Sequence, residues 1–190
     1  SPSLSLATFT ISSWLKWETE HPTDIYRTII SKGKTPSGYD QNFMLYVTDD
    51  IKKVRVRVGH GASETYLLNG SNASDGQWHQ ATFSYDSSGG ESVLYVDGIL
   101  KDSQTGLLPA YQDPDANVTI GIWDGAVGGY GEWDGSIDDV RIYDRALSAA
   151  EVAALYQLES TPPVDPNSDA DGDGFTYAQE IEAGTDPNDV

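Results

Sequence analysis

The chain has 190 residues, enough for one sandwich-sized domain with a small appendage, because a core of that size buries enough surface to fold alone. Eleven basic against thirty acidic residues leave a formal charge of −19, which repels phosphate backbones, argues against nucleic acid as a partner and favours divalent cations. Cysteine is absent, so disulfides and thiolate zinc sites are excluded, and no apolar run approaches the ~20 residues that cross a bilayer. Ser1 starts with neither a basic segment nor an apolar stretch, as expected of an exported chain whose signal has been removed. The charge is unevenly spread: Glu159 to Val190 holds nine acidic residues and no Lys or Arg. The abundance of Trp, Tyr and Gly, with few Lys, fits an extracellular bacterial β-protein.

From Thr8 to Tyr143 apolar and polar residues alternate in short runs broken by Gly, Asp, Asn and Ser, the period-2 signal of half-buried strands. Strands are expected at Phe9 to Trp17, Thr28 to Lys32, Asn42 to Thr48, Lys53 to Gly59, Glu64 to Asn69, Trp78 to Asp86, Val118 to Ile122 and Gly135 to Tyr143. In the fourth, Val54, Val56 and Val58 share one face and Lys53, Arg55 and Arg57 the other, which predicts one wet side. Trp78 to Asp86 carries large side chains on both faces and reads as a central strand. Leu94 to Leu100 is a hairpin, since Asp97-Gly98 supplies the positive φ angles of a two-residue turn. Nine or ten strands at this spacing predict two antiparallel sheets packed face to face in an all-β sandwich.

The period changes at Leu147. Ser148 to Glu151 forms a capping box, and Val152, Leu155 and Tyr156 then make one apolar stripe, so a short helix ends the domain. Thr161 to Pro166 cannot continue it, because each proline lacks a donor and restricts the residue before it. The expected organisation is therefore a sandwich over 1–158, a Pro-rich linker over 159–168 and a distinct acidic unit over 169–190.

Asp75-Gly76-Gln77-Trp78-His79, Leu94-Tyr95-Val96-Asp97-Gly98 and Asp134 to Ser148, in that order and spacing, resemble the bacterial laminin G-like domains of the concanavalin A-like sandwich group. The resemblance covers roughly Ser3 to Gln157. It implies a jelly roll of two curved sheets that works as a non-catalytic extracellular module for carbohydrate or protein. Members of that family usually begin with an extra strand and an Asp-Gly or Asp-Asp turn ahead of the segment matching Leu4 to Trp17. This chain starts after it, as a fragment would. Family members often hold a calcium between that early turn and the acidic residue matching Asp138, which makes Asp138 a candidate ligand.

Asp169 to Glu180 places acids at positions 1, 3, 5 and 12 and glycine at 6, the spacing by which a twelve-residue loop wraps calcium in oxygens. Asp169, Asp171 and Asp173 would supply side-chain oxygens, Phe175 its carbonyl, and Glu180 a bidentate carboxylate. Gly174 allows the sharp turn. With Ala183 to Asp189 the tail resembles thrombospondin type 3 repeats, calcium-stiffened spacers between the modules of a larger chain.

Ile122 to Asp134 is a Gly-rich stretch with three large aromatics. Sugar rings stack their CH faces on Trp and Tyr while carboxylates accept from hydroxyls, so Trp123, Asp124, Tyr130 and Trp133 are the candidate glycan-binding residues, with Trp133 equally suited to the core. Trp14, Trp17 and Trp78 fall in strands and are expected inside. His21, His60 and His79 are scattered, and His79 is expected to be structural. Asn69, Asn72 and Asn117 begin Asn-x-Ser/Thr triplets that read as ordinary loop asparagines. An enzymatic reading needs two carboxylates flanking a sugar. Glu132-Trp133-Asp134 begins such a strand, but Ser136 and Ile137 occupy both positions open to the second Glu, so no catalysis is expected. The expected partner is a polysaccharide or surface glycan, outside the cell or at its surface. A structural or protein-binding adhesin domain with a calcium-stiffened spacer is the competing reading, and a polysaccharide-degrading enzyme domain a remoter one.

Overall fold

The computed structural model describes residues 6–17, 26–33, 41–48, 52–59, 66–106, 109–110, 115–123, 131–160, 175–176, 179 and 182–184. They form ten strands: β1 (Phe9–Trp17), β2 (Arg27–Gly33), β3 (Gln41–Val47), β4 (Lys53–Val58), β5 (Tyr66–Asn72), β6 (His79–Asp86), β7 (Glu91–Val96), β8 (Ile99–Thr105), β9 (Val118–Ile120) and β10 (Gly135–Tyr143), followed by one helix, α1 (Ala149–Ser160). Two five-stranded antiparallel sheets result, one in the order β10-β1-β6-β7-β8 and the other β5-β4-β3-β2-β9. The alternation expected from sequence is the cause. A strand with one apolar row can bury that row only against another sheet.

Phe9, Ile11 and Leu15 of β1 and Ala81, Phe83 and Tyr85 of β6 meet Phe43, Leu45 and Val47 of β3 and Val54, Val56 and Val58 of β4 in one core. Phe9 joins the sheets directly, its ring centroid 5.3 Å from that of Phe43. Each such side chain removed from water contributes roughly 1.5–3 kcal/mol, which is how a chain without disulfides holds this shape. β6 is the central strand of its sheet, as its two-faced pattern predicts. The Asp97-Gly98 turn joins β7 to β8 with φ of 55° and 69°.

The outer face of the first sheet is closed by the segment leading into α1. Thr10 donates from its hydroxyl to the Arg145 carbonyl and accepts from the Leu147 amide, both at 2.9 Å, and Ser84 donates to the Leu147 carbonyl at 3.3 Å. The capping box forms: the Ser148 amide donates to Glu151 at 2.9 Å, and the Glu151 amide points back to the Ser148 hydroxyl at 3.4 Å. Arg145 and the Ser148 groups together hold the Glu151 carboxyl down at about 2. Val152 is fully buried, packed with Leu147 and Tyr95.

Two expectations for tryptophan need correction. Trp78 lies one residue before β6 and is 43% exposed rather than buried, because the Asp75–Gln77 turn lifts it off the sheet: the Gln77 amide donates to Asp75 at 2.9 Å. Trp14 is half-buried, but outside the two-sheet core, stacked on Tyr156 of α1. Trp17 is in the core as expected.

The chain divides into two compact units, Ser1–Tyr156 and Gln157–Val190. In the second, the Thr176 amide and hydroxyl both donate to the Gln179 side-chain oxygen, at 2.8 and 3.1 Å, half of a capping box ahead of the helical residues 179 and 182–183. Among the described residues no helix is long and apolar enough to cross a membrane.

Candidate functional site

The Gly-rich stretch is anchored at both of its described ends. The Gly121 amide donates to the Ile29 carbonyl at 2.9 Å, the Trp133 amide to the Gly121 carbonyl at 2.7 Å, and the Thr28 amide to the Gly131 carbonyl at 3.1 Å. Arg27, almost fully buried, donates from Nη1 to the Glu132 carbonyl at 3.2 Å. These bonds pin Gly131 to Trp133 along the start of β2. Trp123 is half-buried, its indole lying directly over Gly131, where an added Cβ would overlap Cδ1 and Nε1. Trp133 is also half-buried, packs against the core and donates its indole N–H to the Ser136 carbonyl at 3.3 Å. The structure thus brings Trp123 and Trp133 to one edge. Asp124 and Tyr130 lie outside the described residues.

Beside this edge is the outer face of the second sheet. Because Phe43, Leu45 and Val47 point into the core, Met44, Tyr46 and Thr48 point the other way, with Arg55 and Arg57 of β4 and Thr28 of β2 as cross-strand neighbours. Tyr26, 38% exposed, sets its ring 5.5 Å from that of Tyr46. The Arg57 guanidinium lies 5.4 Å from the Tyr26 centroid and 5.8 Å from the Tyr46 centroid. Arg55 is steered by its Nε donating to Asn69 Oδ1 at 2.8 Å. Burial pushes the Tyr46 phenol up, and the charges of Arg57 and Arg55 hold part of that rise back.

The hydroxyls of Thr28 and Thr48, both buried, make no hydrogen bond. Leaving such a group unsatisfied costs about 1–3 kcal/mol. Sequence reasoning expected only a wet side here. The alternation of Val with Arg gave the face, but the pairing of Tyr26 with Tyr46 depends on register across strands distant in sequence.

Asp138 is exposed on β10, its carboxylate accepting from the Asp139 amide at 2.8 Å. Among the described residues no group of three His, Cys, Asp or Glu gathers as a metal site would require. Asp169, Asp171, Asp173 and Glu180 lie outside the described residues, and Phe175 is 58% exposed. His79 is held on both nitrogens, by Asp97 at 2.8 Å and Asp75 at 2.9 Å. Burial opposes its charge, but the two carboxylates outweigh burial and raise its pKa. That is a tether between the strand-opening turn and the hairpin.

The family model described as "Concanavalin A-like lectin/glucanases superfamily" matches residues 1–153. No curated protein matches the chain in sequence. Among solved structures, the carbohydrate-binding module CBM40 of the Ruminococcus gnavus IT-sialidase, bound to α2,3-sialyllactose, is similar with a TM-score of 0.64 at 22% identity, covering 82% of this chain and 91% of that one. Domain 4 of the GH43 extracellular arabinanase AbnA from Geobacillus stearothermophilus, in complex with arabinotriose, is similar with a TM-score of 0.54 at 23% identity, covering 82% and 70%. A heptameric SAP-like pentraxin from Limulus polyphemus gives 0.61 at 19% identity, covering 85% and 74%. At these identities the likeness is one of fold.

Proposed function

Because the chain belongs to the concanavalin A-like lectin/glucanase superfamily, we propose that it is a non-catalytic carbohydrate-binding module of a larger secreted or surface protein, with a calcium-stabilised tail. The observation that carries this reading is the edge where Trp123 and Trp133 are pinned, on a fold whose similar structures include modules in complex with sugars. Aromatic faces and a few fixed polar groups are what sugar recognition needs. Trp123, Asp124, Tyr130 and Trp133 are the proposed contacts. The absence of the second Glu after Glu132 and Asp134 supports binding without hydrolysis.

Calcium belongs to the tail in this reading, held by Asp169, Asp171, Asp173, the Phe175 carbonyl and Glu180. The Thr176–Gln179 pairing, which falls within the twelve-residue spacing, supports it. Asp138 is a further candidate ligand in the sandwich. A glycan array probed with and without calcium tests the proposal. Binding of a glycan, reduced in Trp123→Ala, supports it; no binding to any glycan leaves the adhesin reading, in which the partner is a protein.

A further inference from the structure

Between β6, β7 and β8 and the segment leading into α1 lies a cavity of about 340 Å³, a size that holds small ligands. Val93, Leu100 and Leu147 give it apolar walls, and Asp86, Glu91 and Glu151 bring three carboxylates, with no Lys, Arg or His among the described residues that line it. Two of these carboxylates have local duties. Ser88 donates to Asp86 from its hydroxyl at 2.7 Å and its amide at 2.8 Å, which holds Asp86 ionised, while Glu151 takes Arg145 at 2.8 Å and caps the helix through Ser148. Glu91 has no hydrogen-bond partner for its carboxylate among the described residues, although it stands directly opposite Asp86 in the β6–β7 register, where like charges destabilise a sheet. A second group is left over in the same space. Tyr95 is only 5% exposed and lines the cavity, yet no described residue hydrogen-bonds its hydroxyl. Burial pushes that phenol up and the charge of Glu91 adds to the rise, so the two groups stand close enough to feel each other. A ligand that brings both a positive charge and hydroxyl groups would relieve both unmet demands.

We propose that this cavity is a site for amino sugars, in which Glu91 takes the protonated amine with Asp86 beside it, the Tyr95 hydroxyl pairs with a sugar hydroxyl, and the CH face of the ring lies on Val93 and Leu100. The proposal rests on the carbohydrate-binding reading and adds to it the charge class of the ligand and a set of contacts separate from the loop tryptophans. A formal charge of −19 draws a cationic sugar toward the protein, and the bond from its ammonium to Glu91 is charge-assisted. A lysine side chain shares the ammonium, but its carbon stem offers nothing to the Tyr95 hydroxyl.

The test is calorimetric titration of the intact chain at about pH 6, where the amine is charged, with a glucosamine trimer against an N-acetylglucosamine trimer, a glucose trimer and trilysine. The site predicts that the glucosamine trimer binds roughly ten- to a hundredfold more tightly than either neutral sugar, with Glu91→Gln abolishing that difference. Asp144→Asn removes the same charge from a side chain that does not line the cavity, and should leave the preference intact. Tyr95→Phe separates site from scaffold: it removes a hydroxyl with no partner, so thermal stability should hold or rise while affinity for the amino sugar falls several-fold. Equal affinity for charged and neutral sugars, an unchanged preference in folded Glu91→Gln, or an equal loss in Asp144→Asn overturns this proposal alone. So does trilysine binding as tightly as the amino sugar, which would assign the cavity to a lysine side chain. No binding to any glycan overturns the carbohydrate reading as well.

Discussion

Trp14 of β1 and Tyr156 of α1 stack with ring centroids 5.7 Å apart and planes 22° from parallel. This contact, with the Thr10 and Ser84 bonds to the preceding segment, commits much of the outer face of the first sheet to structure. In the proposed reading, glycan contact falls to the loop edge that carries Trp123 and Trp133. Tyr156→Ala should lower stability by about 2 kcal/mol in urea unfolding, through lost burial and the lost stack, with glycan affinity unchanged. Gly98→Ala should act in the same place, because φ is 69° and a Cβ would stand 3.0 Å from the Tyr156 Cβ.

Gly131 should tolerate no side chain. Its φ of 81° favours glycine, and the Trp123 indole fills the space a Cβ needs. Gly131→Ala is expected to cost about 1–3 kcal/mol and to displace Trp123, visible as a change in tryptophan fluorescence. If Trp123 contacts glycan, affinity falls in the same variant.

The His79 tether predicts a pH window. Its raised pKa means that its contribution is fully present below 6.5, the ordinary value, and is lost as pH rises through the folded-state value. Asp75 is lowered, first by the Gln77 amide and then by His79, so its contribution is present above 3.8 and lost as pH falls through its folded-state value. Stability against urea should therefore be highest between these limits and decline toward alkaline pH. His79→Gln should flatten that decline and cost about 1 kcal/mol near pH 6, the carboxylates being partly exposed.

Calcium should bind the tail through Glu180. Titration of calcium into the parent chain is expected to give a saturable heat, lost in Glu180→Ala, and chelation should increase proteolysis within 159–190 while the sandwich remains resistant.

The sandwich was legible in the sequence because each strand must hide one apolar row, so Val54, Val56 and Val58 announce a buried face without further help. The capping box at Ser148 was legible for the same local reason. Trp78 was misplaced because strand membership was read through the last turn residue, and an Asx turn at Asp75 moved the boundary by one position. Arg57 between two tyrosines was invisible, since Tyr26 and Tyr46 meet only through the β2–β3 register. The candidate loop residues were found by composition, and of these Trp123 and Trp133 do come to one edge.

The central claim is that this sandwich binds sugar and does not cut it. Equilibrium titration of the intact, calcium-loaded chain with glycan oligosaccharides, followed by chromatography of the same samples, tests both halves at once. The account predicts saturable binding with every oligosaccharide recovered at its original length. Shortened products would contradict it, and so would a folded protein that binds none of them.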